Sequence, residues 1–63
     1  MPIVQISLLQ GRTKEMKEEL IEKVTDTIAG TLKISKDLVH IILYDVPREN
    51  AGHGGVPRSK VTP

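Results

Sequence analysis

Pro2 and Arg12 are the residues of this 63-residue chain whose chemistry best suits acid–base work on an organic acid. Removal of Met1 gives Pro2 a free secondary amine, whereas retention of Met1 leaves an amide that is no base. An apolar environment or a nearby cation lowers the pKa of such an amine, so that it accepts a proton near neutral pH. Arg12 is permanently charged, and its planar guanidinium suits a carboxylate. Together they indicate proton transfer on a carboxylate substrate.

Three other residues are weaker candidates. His40 falls in a predicted strand, where packing between chains is the simplest interpretation and a hydrogen bond to substrate is the alternative. Arg48 and Arg58 fall in a predicted loop and tail, where solvation is expected and a contact with substrate is the alternative. The chain has no cysteine, and its glycines do not follow a strand and precede a helix, so we expect no metal and no nucleotide cofactor.

The elements that must position these residues begin with a strand from Pro2 to Leu9, in which apolar residues alternate. Thr13 is a plausible N-cap, so a helix of about 18 to 20 residues should begin near Lys14. One face of this helix is an apolar stripe formed by Met16, Leu20, Ile21, Val24, Ile28 and Leu32. The charged residues expected to face water are Lys14, Lys17, Glu18, Glu22 and Asp26, and Glu19 and Lys23 are spaced for an ion pair.

A second strand is predicted over residues 39–44, after a short capped turn at Ser35. Strand, helix and strand form a β-α-β unit with parallel strands, which places the helix on one sheet face. The other face still carries apolar side chains, so we expect self-association through the sheet. Residues 51–56 suit a small hairpin, with His53 as a loop residue, and the tail from Arg58 to Pro63 is too short to fold unless it docks on a neighbour.

Composition limits the classes of function. The net charge is +1 and one aromatic residue, Tyr44, is present, so a nucleic-acid or polybasic membrane module is not expected. No apolar stretch approaches the length of a membrane span. We therefore expect one domain over residues 1–63, a cytoplasmic protein and a small aliphatic core that oligomerisation supplements.

Motifs along nearly the whole chain resemble the 4-oxalocrotonate tautomerase family of the tautomerase superfamily. They are the start Pro2–Ile6, the turn Leu9–Thr13, the helix Glu15–Val24, the pair Gly54–Gly55 and the segment Ser59–Val61. The resemblance implies an α+β protomer with a C-terminal hairpin, which forms dimers with a four-stranded sheet and a hexamer built as a trimer of dimers. It also implies a cofactor-free isomerase acting on an enol or dienol acid such as 2-hydroxymuconate, with Pro2 as general base and acid and Arg12 binding a substrate carboxylate.

Three positions depart from the family pattern. His40 stands where the family has an arginine that reaches a neighbouring subunit's site, and we retain it as a candidate substrate-binding residue. Ala51 stands where the family has an aromatic residue beside the proline, and Thr62 replaces a basic residue. A neutral imidazole does not reproduce a bidentate arginine contact, so we expect a differently tuned tautomerase. The alternatives are a hydratase or dehalogenase of unsaturated acids on the same scaffold, or a non-catalytic oligomeric binding module.

Overall fold

A computed structural model describes residues 1–60 of the chain. The helix and strands, in chain order, are β1 (Ile3–Leu9), α1 (Lys14–Leu32), β2 (His40–Val46), β3 (Gly52–His53) and β4 (Val56–Pro57). Single 3-10 turns lie at Lys36–Leu38, Arg48–Asn50 and Arg58–Lys60. This order confirms the predicted β-α-β unit followed by a hairpin. The second strand begins one residue later than predicted and continues two residues beyond Tyr44.

β1 and β2 pair in parallel along their full length, from Ile3 opposite His40 to Leu9 opposite Val46. The pairing continues past both ends of β1. The backbone N–H of His40 donates to the carbonyl of Pro2 at 3.0 Å, and the N–H of Gln10 donates to the carbonyl of Val46 at 2.9 Å. The sheet therefore has an amino edge, where Pro2 and His40 lie, and a carboxyl edge beyond Leu9 and Val46.

Local signals set both ends of the helix, and the N-cap is the one predicted. The hydroxyl oxygen of Thr13 accepts a hydrogen bond from the backbone N–H of Met16 at 3.1 Å, which satisfies one of the free donors of the first turn. At the other end Lys33 adopts a left-handed conformation with φ of 57°, the conformation that commonly terminates helices. The predicted Glu19–Lys23 pair forms at 2.8 Å, and its hydrogen bond holds the pKa of Glu19 below its ordinary value.

The covered sheet face is the one that alternation predicts. Half-buried side chains alternate along β1 and β2, and α1 contributes the middle of its stripe and Ala29, the only buried residue within 1–60. Met16 and Leu32, at the ends of the stripe, are each 56% exposed. On the opposite face Ile3, Ile42 and Tyr44 remain exposed. We call this second apolar surface the open face.

Lys17 does not face water as the sequence pattern suggested. Its ammonium group lies 2.8 Å from a carboxylate oxygen of Asp45, and its side chain is 30% exposed. Asp45 stands opposite Leu8 in the sheet and so shares the covered face. The prediction was wrong because helix periodicity shows which residues are polar, whereas the carboxylate that draws Lys17 inward comes from 28 residues away.

The C-terminal part forms the predicted hairpin. Gly54 and Gly55 make its two-residue turn, with φ of 61° and 83°, and positive φ at both central residues is the geometry of a type I′ hairpin. His53 lies in β3 and is exposed. The 3-10 turns that flank the hairpin, Arg48–Asn50 and Arg58–Lys60, pack against each other. Across residues 1–60 none of the helices is both long and apolar enough to cross a membrane.

Candidate functional site

Pro2 and His40 are neighbours at the amino edge of the sheet. The backbone hydrogen bond of 3.0 Å joins them, and Pro2 is half-buried while His40 is exposed. His40 stands opposite Ile3, so its side chain belongs to the open face. Partial burial of an amine disfavours its charged form.

Arg12 lies beyond the carboxyl end of β1, beside a pocket of about 180 Å³ between the sheet and the first turns of α1. Most of the wall is apolar, and two cations complete it; the lining residues are Leu8, Arg12, Met16, Lys17 and Leu20. Lys17 is neutralised by Asp45, whereas no carboxylate of residues 1–60 pairs with Arg12. An unpaired guanidinium beside an apolar wall suits a small organic acid.

The two predicted chemical residues are not brought together within one protomer. Pro2 precedes β1 and Arg12 follows it, and β1 has seven residues. At about 3.3 Å per residue, the strand holds them on the order of 25 Å apart. Pro2 and Arg12 can therefore meet at one substrate only if they come from different chains.

The arginines after β2 are less exposed than expected. Arg48 and Arg58 are both half-buried, each in one of the two 3-10 turns that pack together. Ala51 is also half-buried, and its carbonyl accepts a hydrogen bond of 2.7 Å from the backbone N–H of Arg58. No sequence signal indicated this arrangement, because it depends on the hairpin register. Thr62 lies outside the described residues.

Within residues 1–60 no group of three or more histidine, cysteine, aspartate or glutamate side chains is placed to hold a metal ion. The chain does offer cationic side chains suited to anions, among them Arg12, Arg48 and Arg58, none of which forms an ion pair within residues 1–60. The arrangement can bind carboxylates and, through a free amine at Pro2, transfer a proton.

Comparison with known proteins gives a consistent result. The family model described as "Tautomerase enzyme" matches residues 2–60. A 2-hydroxymuconate tautomerase from Pseudomonas sp. (strain CF600) is 39% identical over 61 residues, which span 97% of each protein. The crystal structure of a 4-oxalocrotonate tautomerase homologue superposes with a TM-score of 0.92 at 33% identity over the full length of both chains. A heterohexameric 4-oxalocrotonate tautomerase from Chloroflexus aurantiacus is 26% identical with a TM-score of 0.91, covering 98% of this chain and 100% of its own.

Proposed function

This chain belongs to the tautomerase enzyme family, in the group of 4-oxalocrotonate tautomerase, and from that premise we propose the residues, substrate and assembly through which it acts. The reaction is the isomerisation of an unsaturated 2-hydroxy acid to the conjugated 2-oxo acid. The amine of Pro2, freed by removal of Met1, is the base and then the acid. Arg12 binds a carboxylate of the substrate, and His40 contacts the substrate in a neighbouring subunit's site, as the family resemblance implies.

The proposed step balances without a co-reactant. With 2-hydroxymuconate, the nitrogen of Pro2 takes the proton of the 2-hydroxyl group as the carbonyl forms. The electron pair moves along the conjugated carbons, and the protonated amine returns a proton to carbon 5. Arg12 stabilises the negative charge of the dienolate and its carboxylate during this transfer. No redox group and no metal is needed for this proton shift.

The observation that carries the proposal is the unpaired guanidinium of Arg12 beside an apolar pocket, in a fold whose half-buried proline lies at the other edge of the same strand. A single chain carries the amine of Pro2 and the guanidinium of Arg12 beyond opposite ends of β1, so each belongs to a different site. If a second chain places its amino edge beside the carboxyl edge of the first, each pair of chains has two complete sites. We therefore propose a homo-oligomer in which two chains share each site.

The open face supports assembly beyond a single chain. Ile3 is 60% exposed and Tyr44 is 47% exposed on a two-stranded sheet, which is a poor end state in water. Covering such a surface is favourable by roughly 25 cal/mol for each Å² of apolar area removed from water. Dimers that join through the sheet, and a hexamer of three such dimers, bury this face and complete the shared sites.

The test is tautomerisation of 2-hydroxymuconate, followed by ultraviolet absorbance, with protein whose mass shows that Met1 is absent. We expect conversion that is lost when the amine of Pro2 is acylated. A matched preparation that retains Met1 should be inactive, because its Pro2 nitrogen is an amide. Full activity after acylation would overturn the proline mechanism. Inactivity of processed protein would favour a hydratase, a dehalogenase or a non-catalytic binding module.

A further inference from the structure

Lysines and arginines differ in ion pairing in this structure. Each ion pair within residues 1–60 uses a lysine: Lys14 with Glu18, Lys17 with Asp45, Lys23 with Glu19 and Lys36 with Asp26. The three arginines have no carboxylate partner in that part of the chain. Arginine is the residue whose planar fork best matches a carboxylate. The arginines are thus available to bind an organic acid, as are Lys33 and Lys60, which form none of these pairs.

Arg58 stands out among these arginines. Its Nε is shielded from water yet has no hydrogen-bond acceptor among the described residues. No side-chain hydrogen bond within residues 1–60 involves its guanidinium. A buried donor without an acceptor is unfavourable, so the guanidinium is held in a position where an acceptor from outside these residues would be stabilising.

The hairpin register explains how Arg58 is held. Gly52 pairs with Pro57, and the 2.7 Å bond from the N–H of Arg58 to the carbonyl of Ala51 continues that ladder. Directly paired residues of antiparallel strands project to the same face. Ala51 and Arg58 therefore project to the same face of the hairpin, where Ala51 contributes only a methyl group.

A second guanidinium lies in the neighbouring turn. Arg48 belongs to the 3-10 turn that packs against the turn of Arg58. β1 and β2 end side by side at Leu9 and Val46. Arg12 follows β1 and Arg48 follows β2, so both residues come after the carboxyl edge of the sheet. Arg48 and Arg12 therefore both follow strand ends at the edge where the proposed function already needs a carboxylate anchor, although Glu49 adjoins Arg48 in its turn.

We propose that Arg58 is a second carboxylate-binding residue of this tautomerase, one that binds a substrate carboxylate other than the one held by Arg12. This inference rests on the proposed function, and it selects dicarboxylates as the substrate class. Arg58 then supplies the charge that the imidazole of His40 lacks. The neighbouring guanidinium of Arg48 strengthens the attraction without needing to contact the substrate.

The activity test compares Arg58→Gln with the wild type on 2-hydroxymuconate. We expect KM to rise about tenfold or more, the effect of losing a charge-assisted hydrogen bond. Arg58→Lys should give an intermediate KM, because it keeps the charge and loses the bidentate geometry. The matched control is Lys60→Gln, an exposed cation of the same turn, which should change KM less than about twofold. An unchanged KM in Arg58→Gln would overturn the proposal.

A binding test separates this inference from the proposed chemistry. In wild-type protein, the Nε–H signal of Arg58 is followed by NMR while muconate, a dicarboxylate without an enol, is added. We expect a saturable shift of this signal, even if the protein proves to have no tautomerase activity. If the protein turns over 2-hydroxymuconate but muconate does not shift the Arg58 signal, the role of Arg58 is overturned and the proposed function stands.

Discussion

Pro2 and Arg12 lie at opposite ends of the same strand, β1, whose seven residues run between them. By contrast, the backbone N–H of His40 contacts the carbonyl of Pro2 at 3.0 Å. The candidate base therefore has a histidine as its neighbour within the protomer, and the candidate anchor is on the order of 25 Å away at the strand rise of an extended chain.

Pro2→Ala should lower kcat/KM for 2-hydroxymuconate by at least about a hundredfold, in the range attributed to general acid–base catalysis. The alanine amine is primary and lacks the constrained ring that orients the proline nitrogen. Turnover is measured by absorbance with Met1 absent in both proteins. The control is an unchanged circular dichroism spectrum and an unchanged mass in solution. A variant with wild-type turnover would remove Pro2 from the mechanism.

Mixing of two inactive variants tests whether chains share the site. Pro2→Ala and Arg12→Ala homo-oligomers should each show low activity, and unfolding and refolding them together should restore about a quarter of the wild-type activity. Half of the randomly formed pairs are mixed, and each mixed pair has one of its two sites intact. No recovery, in mixtures shown by mass spectrometry to contain both chains, would mean that one chain supplies both residues.

His40→Arg should lower KM for 2-hydroxymuconate by several-fold, since a guanidinium adds a charge-assisted contact that a neutral imidazole lacks. The comparison variant is His40→Gln, which retains a hydrogen-bond donor without a permanent charge. KM and kcat are measured for both at constant ionic strength. Equal KM values in all three proteins would show that residue 40 does not face the substrate.

Ile42→Glu should dissociate the oligomer, because it places a charge on the open face, where Ile42 is 40% exposed in the single chain. Sedimentation velocity should show a smaller species, and activity should fall with assembly if two chains share each site. Thr31→Glu, on an exposed part of α1, is the control and should leave the mass unchanged. An Ile42→Glu protein with wild-type mass would mean that assembly does not use this face.

Lys17→Ala should reduce the free energy of unfolding by about 1 kcal/mol, near the upper end of values for ion pairs at partly exposed sites. The reason is the 2.8 Å contact with Asp45, made by a side chain that is 30% exposed. Lys14→Ala is the comparison, because its 3.9 Å pair with Glu18 is largely exposed. Urea unfolding at one protein concentration should rank the two variants in that order. Equal stabilities would mean that the Lys17 contact adds nothing beyond a surface pair.

Much of the fold was predictable because local signals decide it. Alternation along β1 and the 3.6-residue spacing in α1 identified both elements, and the hydroxyl of Thr13 does cap the helix. Two successive glycines allowed a tight hairpin turn, which forms with positive φ at both residues. The family resemblance was also readable, because its motifs keep their order along the chain. The roles of Pro2, Arg12 and His40 stay predictions until the experiments are done.

Only the tertiary structure decided how distant residues meet. The inward turn of Lys17 toward Asp45 and the alignment of Arg58 with Ala51 depend on which strands pair and in which register. The distance between Pro2 and Arg12 could be estimated only after the structure showed that Ile3–Leu9 is one uninterrupted strand. Sequence patterns report the periodicity and chemistry of neighbours along the chain, whereas contacts across the fold are set by the packing of whole elements.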